Sequence, residues 1–459
     1  MANDRLINNS QGESIITGLN TIATKLDALK PISAADNGKV VVNGELTPQT
    51  STTKTVNGTY NTTTNNEVVV DVANSYSQSD NGKVVSNQQL VSQTVYPTTV
   101  TENDTYDTTN YNSITVNVSG GGGNTGLTIE GLTELGDLLT FNSHITSVII
   151  GSDFEVIGEN AFNDCSALTS VTISSSVTEI GANAFTDCSA LETVTFEENS
   201  SLETIGEYAF NECSALTSID IPNSVTSIGE YAFNNCSALT SIDIPNSVTS
   251  IGDFAFCICS ALETVTFEEN SSLETIGEYA FNECSALTSV TIPNTVTSMG
   301  DSAFGHCSAL ETVTFEENSS LEGIGAENFT SCQSLTSITI PSSVTVIGAN
   351  AFADCGNLET VIFESPSNLE TIGYWAFSGQ YEGTNINSIT IPSSVIYIDD
   401  DAFSDSLNTI TFESTTPPEL GGNLGIGTSC TIRVPQGTLS AYTSANNYPD
   451  PSEYTYVEY

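Results

Sequence analysis

From about residue 145 onward, apolar residues recur in a long, regular cycle. Aligning the chain on a repeated phenylalanine gives the anchors Phe162, Phe185, Phe210, Phe233, Phe256, Phe281, Phe304, Phe329, Phe352, Phe377 and Phe403. Ten intervals cover 241 residues, about 24 each, a period that signals a stacked array rather than one globular core. The unit 213–235 reads CSALTSIDIPNSVTSIGEYAFNN, and it alternates irregularly with a 25-residue form containing FEENSSLETIG. Alternation at its start puts Leu216, Ile219 and Ile221 inward from a short strand and Thr217, Ser218 and Asp220 outward. Pro222 and Asn223 end the strand, Val225 and Ile228 return to the core, and Gly229 allows a tight corner. The stretch 230–235 is expected to form a short helical turn with Ala232 and Phe233 facing inward. No unit can bury these residues alone, so neighbouring coils must bury one another's and the end coils need caps.

The remainder of the chain divides by composition. Residues 1–30 read as an N-terminal helix for attachment or oligomerisation: Ile15, Leu19, Ile22, Leu26 and Leu29 are spaced 4, 3, 4, 3, a coiled-coil seam. Two heptads leave two readings open for residues 4–30, a short helix packed on its own protein or a small oligomerisation or docking helix, a homo-trimer being one such assembly. Next come two small β modules, 31–75 and 76–119. DNGKVV occurs in both, followed by TVNGTYNTTTNNEVVVDV in the first and TENDTYDTTNYNSITVNV in the second. Asn-Gly and similar pairs between Val- and Thr-rich runs predict hairpins. A glycine-rich linker, 120–126, leads to a solenoid with its N-terminal cap at 127–415. The Pro- and Tyr-rich segment 416–459 reads as the C-terminal cap.

Charge narrows the range of partners. The chain carries 56 acidic and 7 basic residues, formally −49, with no Lys or Arg between Lys83 and Arg433. Such a surface repels phosphate backbones and anionic membranes, so neither nucleic acid nor membrane insertion is expected. No basic n-region with an apolar run opens the sequence, so export by the general secretory route is not expected from it.

The residues able to do chemistry mostly follow the repeat. Cys165, Cys188, Cys213, Cys236, Cys259, Cys284, Cys307, Cys332 and Cys355 each lie three residues after an anchor Phe, the pattern of a buried ladder; Cys257 and Cys430 fall outside it. No CxxC pair is present, which argues against zinc. His306 occupies a slot filled by Asp164, Glu212, Asn235 and Glu283 in other coils, a solvent-facing position, and His144 falls in the N-terminal cap. The acidic pairs Glu197–Glu198, Glu268–Glu269 and Glu316–Glu317 recur, whereas an active site is singular, so they read as turn residues and no catalytic residue is assigned. What remains is the outward strand face: Glu192, Thr193 and Thr195, then Thr217, Ser218 and Asp220, then Thr240, Ser241 and Asp243, then Glu263, Thr264 and Thr266. These hydroxyls and carboxylates form either an ordinary solvated β surface or a ligand face that holds a sugar or peptide directly or through a cation such as Ca²⁺.

The period of about 24 residues lies inside the ~20–29 range of leucine-rich repeats. The repeated CSALTSIDIPNSVTSIGEYAFNN, with TTPPELGG and IRVPQGTLSAYTSA after it, closely resembles the BspA-type leucine-rich repeats of bacterial and protozoan surface adhesins. That resemblance covers about residues 145–415. It implies a β-rich solenoid of about eleven coils with short helical turns, no catalysis and no cofactor, and a host cell-surface protein or glycan as partner. DNGKVV followed by TENDTYDTTNYNSITVNV resembles segments of phage and prophage tail-associated proteins of Gram-positive gut bacteria. It implies a virion protein, bound to other tail proteins and displaying the solenoid for host recognition. The alternative is a BspA-like adhesin on the bacterial cell surface.

Overall fold

In the computed structural model the described residues are 146–459, apart from 153, 381 and 382, preceded by the backbones of the strands between residues 39 and 135. The chain divides into two units, Met1–Gly121 and Gly122–Tyr459, with the boundary inside the glycine run 120–123.

The described part of the first unit consists of antiparallel pairs. Lys39–Val42 pairs with Glu45–Pro48, and in the second module Val85–Ser86 pairs with Gln89–Leu90. Gly58–Asn61 pairs with Val69–Val72, and Asp104–Thr108 with Tyr111–Val116. Each copy of the doubled sequence therefore supplies two hairpins at matching places. Val42 lies opposite Glu45. The helix and trimer seam expected at 4–30, and His144, lie outside the described residues.

The second unit is a parallel β-solenoid with almost no helix among the described residues. A coil typically contributes a four-residue strand, such as Ser241–Ile244, shortened to Ser218–Ile219 in one coil, and a two-residue strand, such as Ser250–Ile251. Both kinds pair in parallel with equivalents one coil away, as Ser241 with Thr264 and Ser250 with Thr275, and the longer strands fall into successive sheets, one ending at Ser218–Ile219 and the next starting at Ser241–Ile244. Strand alternation explains the core: in Ser241–Ile244 the hydroxyl and carboxylate are exposed while both isoleucines are buried. Leu216, Ile219, Ile221, Val225, Ile228, Ala232 and Phe233 of the representative coil are all buried, as the pattern requires. The anchor phenylalanines from Phe162 to Phe403 form one column of nearly parallel rings with centroids 5.0–6.0 Å apart.

Beside that column run the ladder cysteines, all buried. From Cys188 to Cys355 each thiol donates to the carbonyl of the preceding coil's anchor Phe at 3.1–3.3 Å. Burial pushes these thiols far above the ordinary range, to about 12 for Cys307 and Cys355. They are small core residues that stay protonated at neutral pH.

Two local expectations are corrected. The stretch 230–235 is a run of tight turns, not a helical turn. Tyr231 and Asn235 take left-handed φ values of 54° and 56°. The amides of Tyr231, Phe233 and Asn235 donate to Asp253, Ala255 and Cys257 of the next coil at 2.7–2.8 Å, and those of Ala232, Asn234 and Cys236 close turns within the coil at 3.1–3.3 Å. A helix would keep every amide inside the coil; here every second one ties coil to coil. Nor is Gly229 needed for φ. A Cβ there would lie 2.6 Å from the backbone carbon of Gly206 in the preceding coil, so glycine permits close stacking at the corner.

The longer coil form is absorbed at its extra turn, where Asn199, Asn270 and Asn318 take φ of 58–62°. The C-terminal segment continues the stack. Thr431–Val434 pairs in parallel with Thr409–Phe412, and Thr455–Glu458 with Thr431–Val434. Tyr442, fully buried, donates its hydroxyl to Ser414 O at 2.8 Å, and Tyr448 donates to Pro418 O at 3.0 Å, closing the apolar end with hydrogen-bonded aromatic rings.

Candidate functional site

The long-strand face places all twelve predicted residues at exposed positions: Glu192, Thr193, Thr195, Thr217, Ser218, Asp220, Thr240, Ser241, Asp243, Glu263, Thr264 and Thr266. Parallel register sorts them into columns. Thr193 lies opposite Ser218, and Ser241 opposite Thr264. In a second column Thr195 lies opposite Thr172, and Asp243 opposite Thr266. Asp220 holds the same slot as Asp243 one coil earlier, just past the strand Ser218–Ile219, which ends one sheet while Ser241–Ile244 begins the next. The third column starts from backbone ties: Thr240 N and Oγ1 both donate to Thr217 O, at 3.1 and 3.3 Å, and Glu263 N donates to Thr240 O at 2.9 Å.

This face is therefore an ordered array of hydroxyl and carboxylate groups on rigid backbone. It can donate and accept hydrogen bonds along several coils. As a cation site it offers Asp220 and Asp243 at equivalent slots of adjacent coils, with Thr266 opposite Asp243 on the next strand. Among the described residues no group of three or more His, Cys, Asp or Glu is gathered as metal ligands.

The recurrent glutamate pairs have a structural task. Glu197, Glu268 and Glu316 each accept a backbone N–H of the preceding coil, from Ser175, Asn246 and Asn294, at 3.0–3.2 Å. Because one corner N–H needs a partner in each such coil, the pair recurs. His306, at φ 60°, is exposed, as its mixed slot implies.

A second surface was missed by the sequence reading. On the turn side, Tyr208, Tyr231, Phe254 and Tyr279 stack ring on ring with centroids 4.5–4.6 Å apart, each ring half-buried. Carboxylates border them in the preceding sequence position, at Glu207, Glu230, Asp253 and Glu278. Burial, then the neighbouring carboxylates Glu207 and Asp253, hold the Glu230 carboxyl above its ordinary value. Burial followed by Glu230 and Glu207 does the same to the Tyr208 hydroxyl. The signal was present as the aromatic two residues before the anchor Phe in EYAF, EYAF, DFAF and EYAF.

The coil geometry has a counterpart in sequence: residues 127–201, 196–284, 264–382 and 378–421 match the BspA type leucine rich repeat region, in six copies. The chain belongs to the BspA-type leucine-rich repeat family. A leucine-rich repeat protein from Bacteroides ovatus shares the fold of this BspA-type protein at TM-score 0.55 and 22% identity, covering 79% of this chain and 100% of that one. A leucine rich cell surface protein from Faecalibacterium prausnitzii is 29% identical at TM-score 0.41, covering 77% of this chain and 95% of that one. The pneumococcal vaccine antigen PcpA matches at TM-score 0.38 and 18% identity, over 78% of this chain and 100% of that one. No curated protein matches the chain. BspA-type solenoids are binding scaffolds: a rigid stack whose repeated surface is the functional element.

Proposed function

We propose that this BspA-type protein is a non-enzymatic adhesion protein of a phage or prophage tail, using the long-strand face of its solenoid to bind a host cell-surface protein or glycan. One observation carries the binding part: exposed hydroxyls and carboxylates recur at equivalent slots from Glu192 to Thr266, in strand register from Thr193 to Ser218 and from Ser241 to Thr266, with Thr240 tied to Thr217 O where the two sheets meet. Such preorganisation lowers the ordering penalty of binding. Supporting the tail assignment is the doubled DNGKVV module ahead of the solenoid, with its resemblance to tail-associated segments. In this reading the first unit attaches the chain to other tail proteins, with residues 4–30 as a trimer seam, and a cation such as Ca²⁺ bridges ligand to Asp220 and Asp243.

The family itself favours a second reading, a BspA-like adhesin on the bacterial surface. Mass spectrometry of particles purified after prophage induction separates the two. Co-purification with tail proteins is the expected result. Particles lacking the chain, together with its labelling on intact phage-free cells, would put the protein on the cell surface instead.

A further inference from the structure

The turn-side ring ladder is built at a conformational disadvantage. Tyr208, Tyr231, Phe254 and Tyr279 have φ of 54–55°, the left-handed region. Asn tolerates that region best, because its short amide hydrogen-bonds locally, and Asn160, Asn183 and Asn350 fill the same slot in other coils at φ 56–57°. An aromatic residue there is strained. Four consecutive coils nonetheless abandon the favoured residue for a ring, and Trp375, the chain's only tryptophan, repeats the exchange at φ 52°. Stacking at 4.5–4.6 Å returns some of the lost stability, but it leaves each of the four residues partly exposed.

What could cover that strip follows from its borders. Glu207, Glu230, Asp253 and Glu278 each directly precede one of the rings, and Glu207 and Asp253 lie near enough to Glu230 to act on it. Burial first and then the neighbouring carboxylates Glu207 and Asp253 raise the Glu230 carboxyl, so added positive charge is favoured there. No Lys or Arg of the solenoid is available to supply it before Arg433. An apolar strip with a carboxylate before every ring fits a side chain with an apolar stem and a cationic head, which is to say arginine or lysine. We infer that the turn side from Tyr208 to Tyr279 is a second docking surface, distinct from the long-strand face, for an arginine-rich segment of a partner protein.

Octa-arginine peptide is the probe, titrated into the full chain in about 0.15 M salt and followed by calorimetry. The full chain binds it, and Tyr231→Asn with Phe254→Asn weakens binding about tenfold while all carboxylates remain. Asn is native to this slot, so the double variant keeps the fold, which thermal melting verifies. Thr217→Ala with Thr240→Ala, on the long-strand face, leaves binding unchanged. Equal binding by the ring variant would mean charge attraction alone and overturn the inference, as would no binding at all. Chitotetraose bound in place of the peptide, and lost in the ring variant, would overturn it in favour of a glycan. None of these outcomes depends on whether the protein belongs to a virion.

Discussion

On the long-strand face, Thr193, Ser241 and Thr264 sit on extended strand backbone that accepts nearly any side chain. On the turn side, Tyr208, Tyr231 and Phe254 sit at left-handed φ, where the backbone itself selects among residue types. The same repeat thus presents one surface whose residues can change at little structural penalty and another whose residues are constrained. A free surface can be tuned to a ligand one residue at a time, and its composition says little about structure. On a constrained surface the informative residues are those that depart from the type the backbone favours.

Both surfaces hang from one column of phenylalanines, and removing a ring from it tests whether they can be separated. Phe256 is fully buried and stacks on Phe233 and Phe281, both at 5.1 Å. Phe256→Ala is expected to lower stability by about 3–5 kcal/mol in urea denaturation. Because coils support only their neighbours, hydrogen exchange should accelerate on both faces of the adjoining coils together. Acceleration on the turn side alone would show that the two surfaces are energetically independent.

Alkaline pH acts on the same core. In the unfolded chain a thiol ionises near ~8.5, whereas in the fold burial holds Cys307 and Cys355 up to about 12. The folded state therefore keeps protons that the unfolded state releases. The resulting stability is fully present below about pH 8.5 and is lost as pH rises towards 12, by roughly 1.4 kcal/mol per pH unit per thiol. Denaturant midpoints should be flat with respect to these groups up to about pH 8.5 and then fall steeply. A midpoint unchanged at pH 11 would contradict a protonated, buried ladder.

The difference between the faces also explains what was legible in the sequence. A period of about 24 residues, the alternation in Thr217–Ile221 and the spacing of the cysteines each follow from burial, which acts on residue type directly, so coil, core and ladder could be read. The outward strand residues were readable for the same reason, as the complement of the buried set. The turns were harder. Whether 230–235 coils as a helix depends on where its amides find partners, and those partners lie 22 residues away in the next coil. Gly229 looked like a conformational hinge, but its reason is the backbone of Gly206 across the stack. The aromatic ladder went unread because one half-exposed tyrosine per coil means little until stacking brings four together.

Gly229→Ala is the direct test of that stacking argument. A Cβ at 2.6 Å from Gly206 C forces the two corners apart, an overpacking expected to destabilise by about 1–3 kcal/mol, with no help from flexible side chains because the contacted atoms are backbone. Gly323 offers the internal control. Its Cβ would find nothing nearer than 3.5 Å, so Gly323→Ala should be close to neutral in the same denaturation experiment. Equal losses at the two positions would mean that backbone freedom, not coil spacing, explains the corner glycines.

The smallest effects decide whether the two faces differ as described. Thr240→Ala removes one exposed hydroxyl and its 3.3 Å bond to Thr217 O, and is expected to change stability by less than about 0.5 kcal/mol. Tyr231→Asn makes two opposed changes. It releases left-handed strain of about 1 kcal/mol and forfeits stacking on Tyr208 and Phe254 worth about the same, so the net change should stay within about 1 kcal/mol of zero. A loss above about 2 kcal/mol would make the ring ladder a structural element in its own right and remove the reason to assign it a partner. A change near zero leaves four aromatic residues in a position where asparagine serves as well for folding, which is the condition for a surface kept for binding.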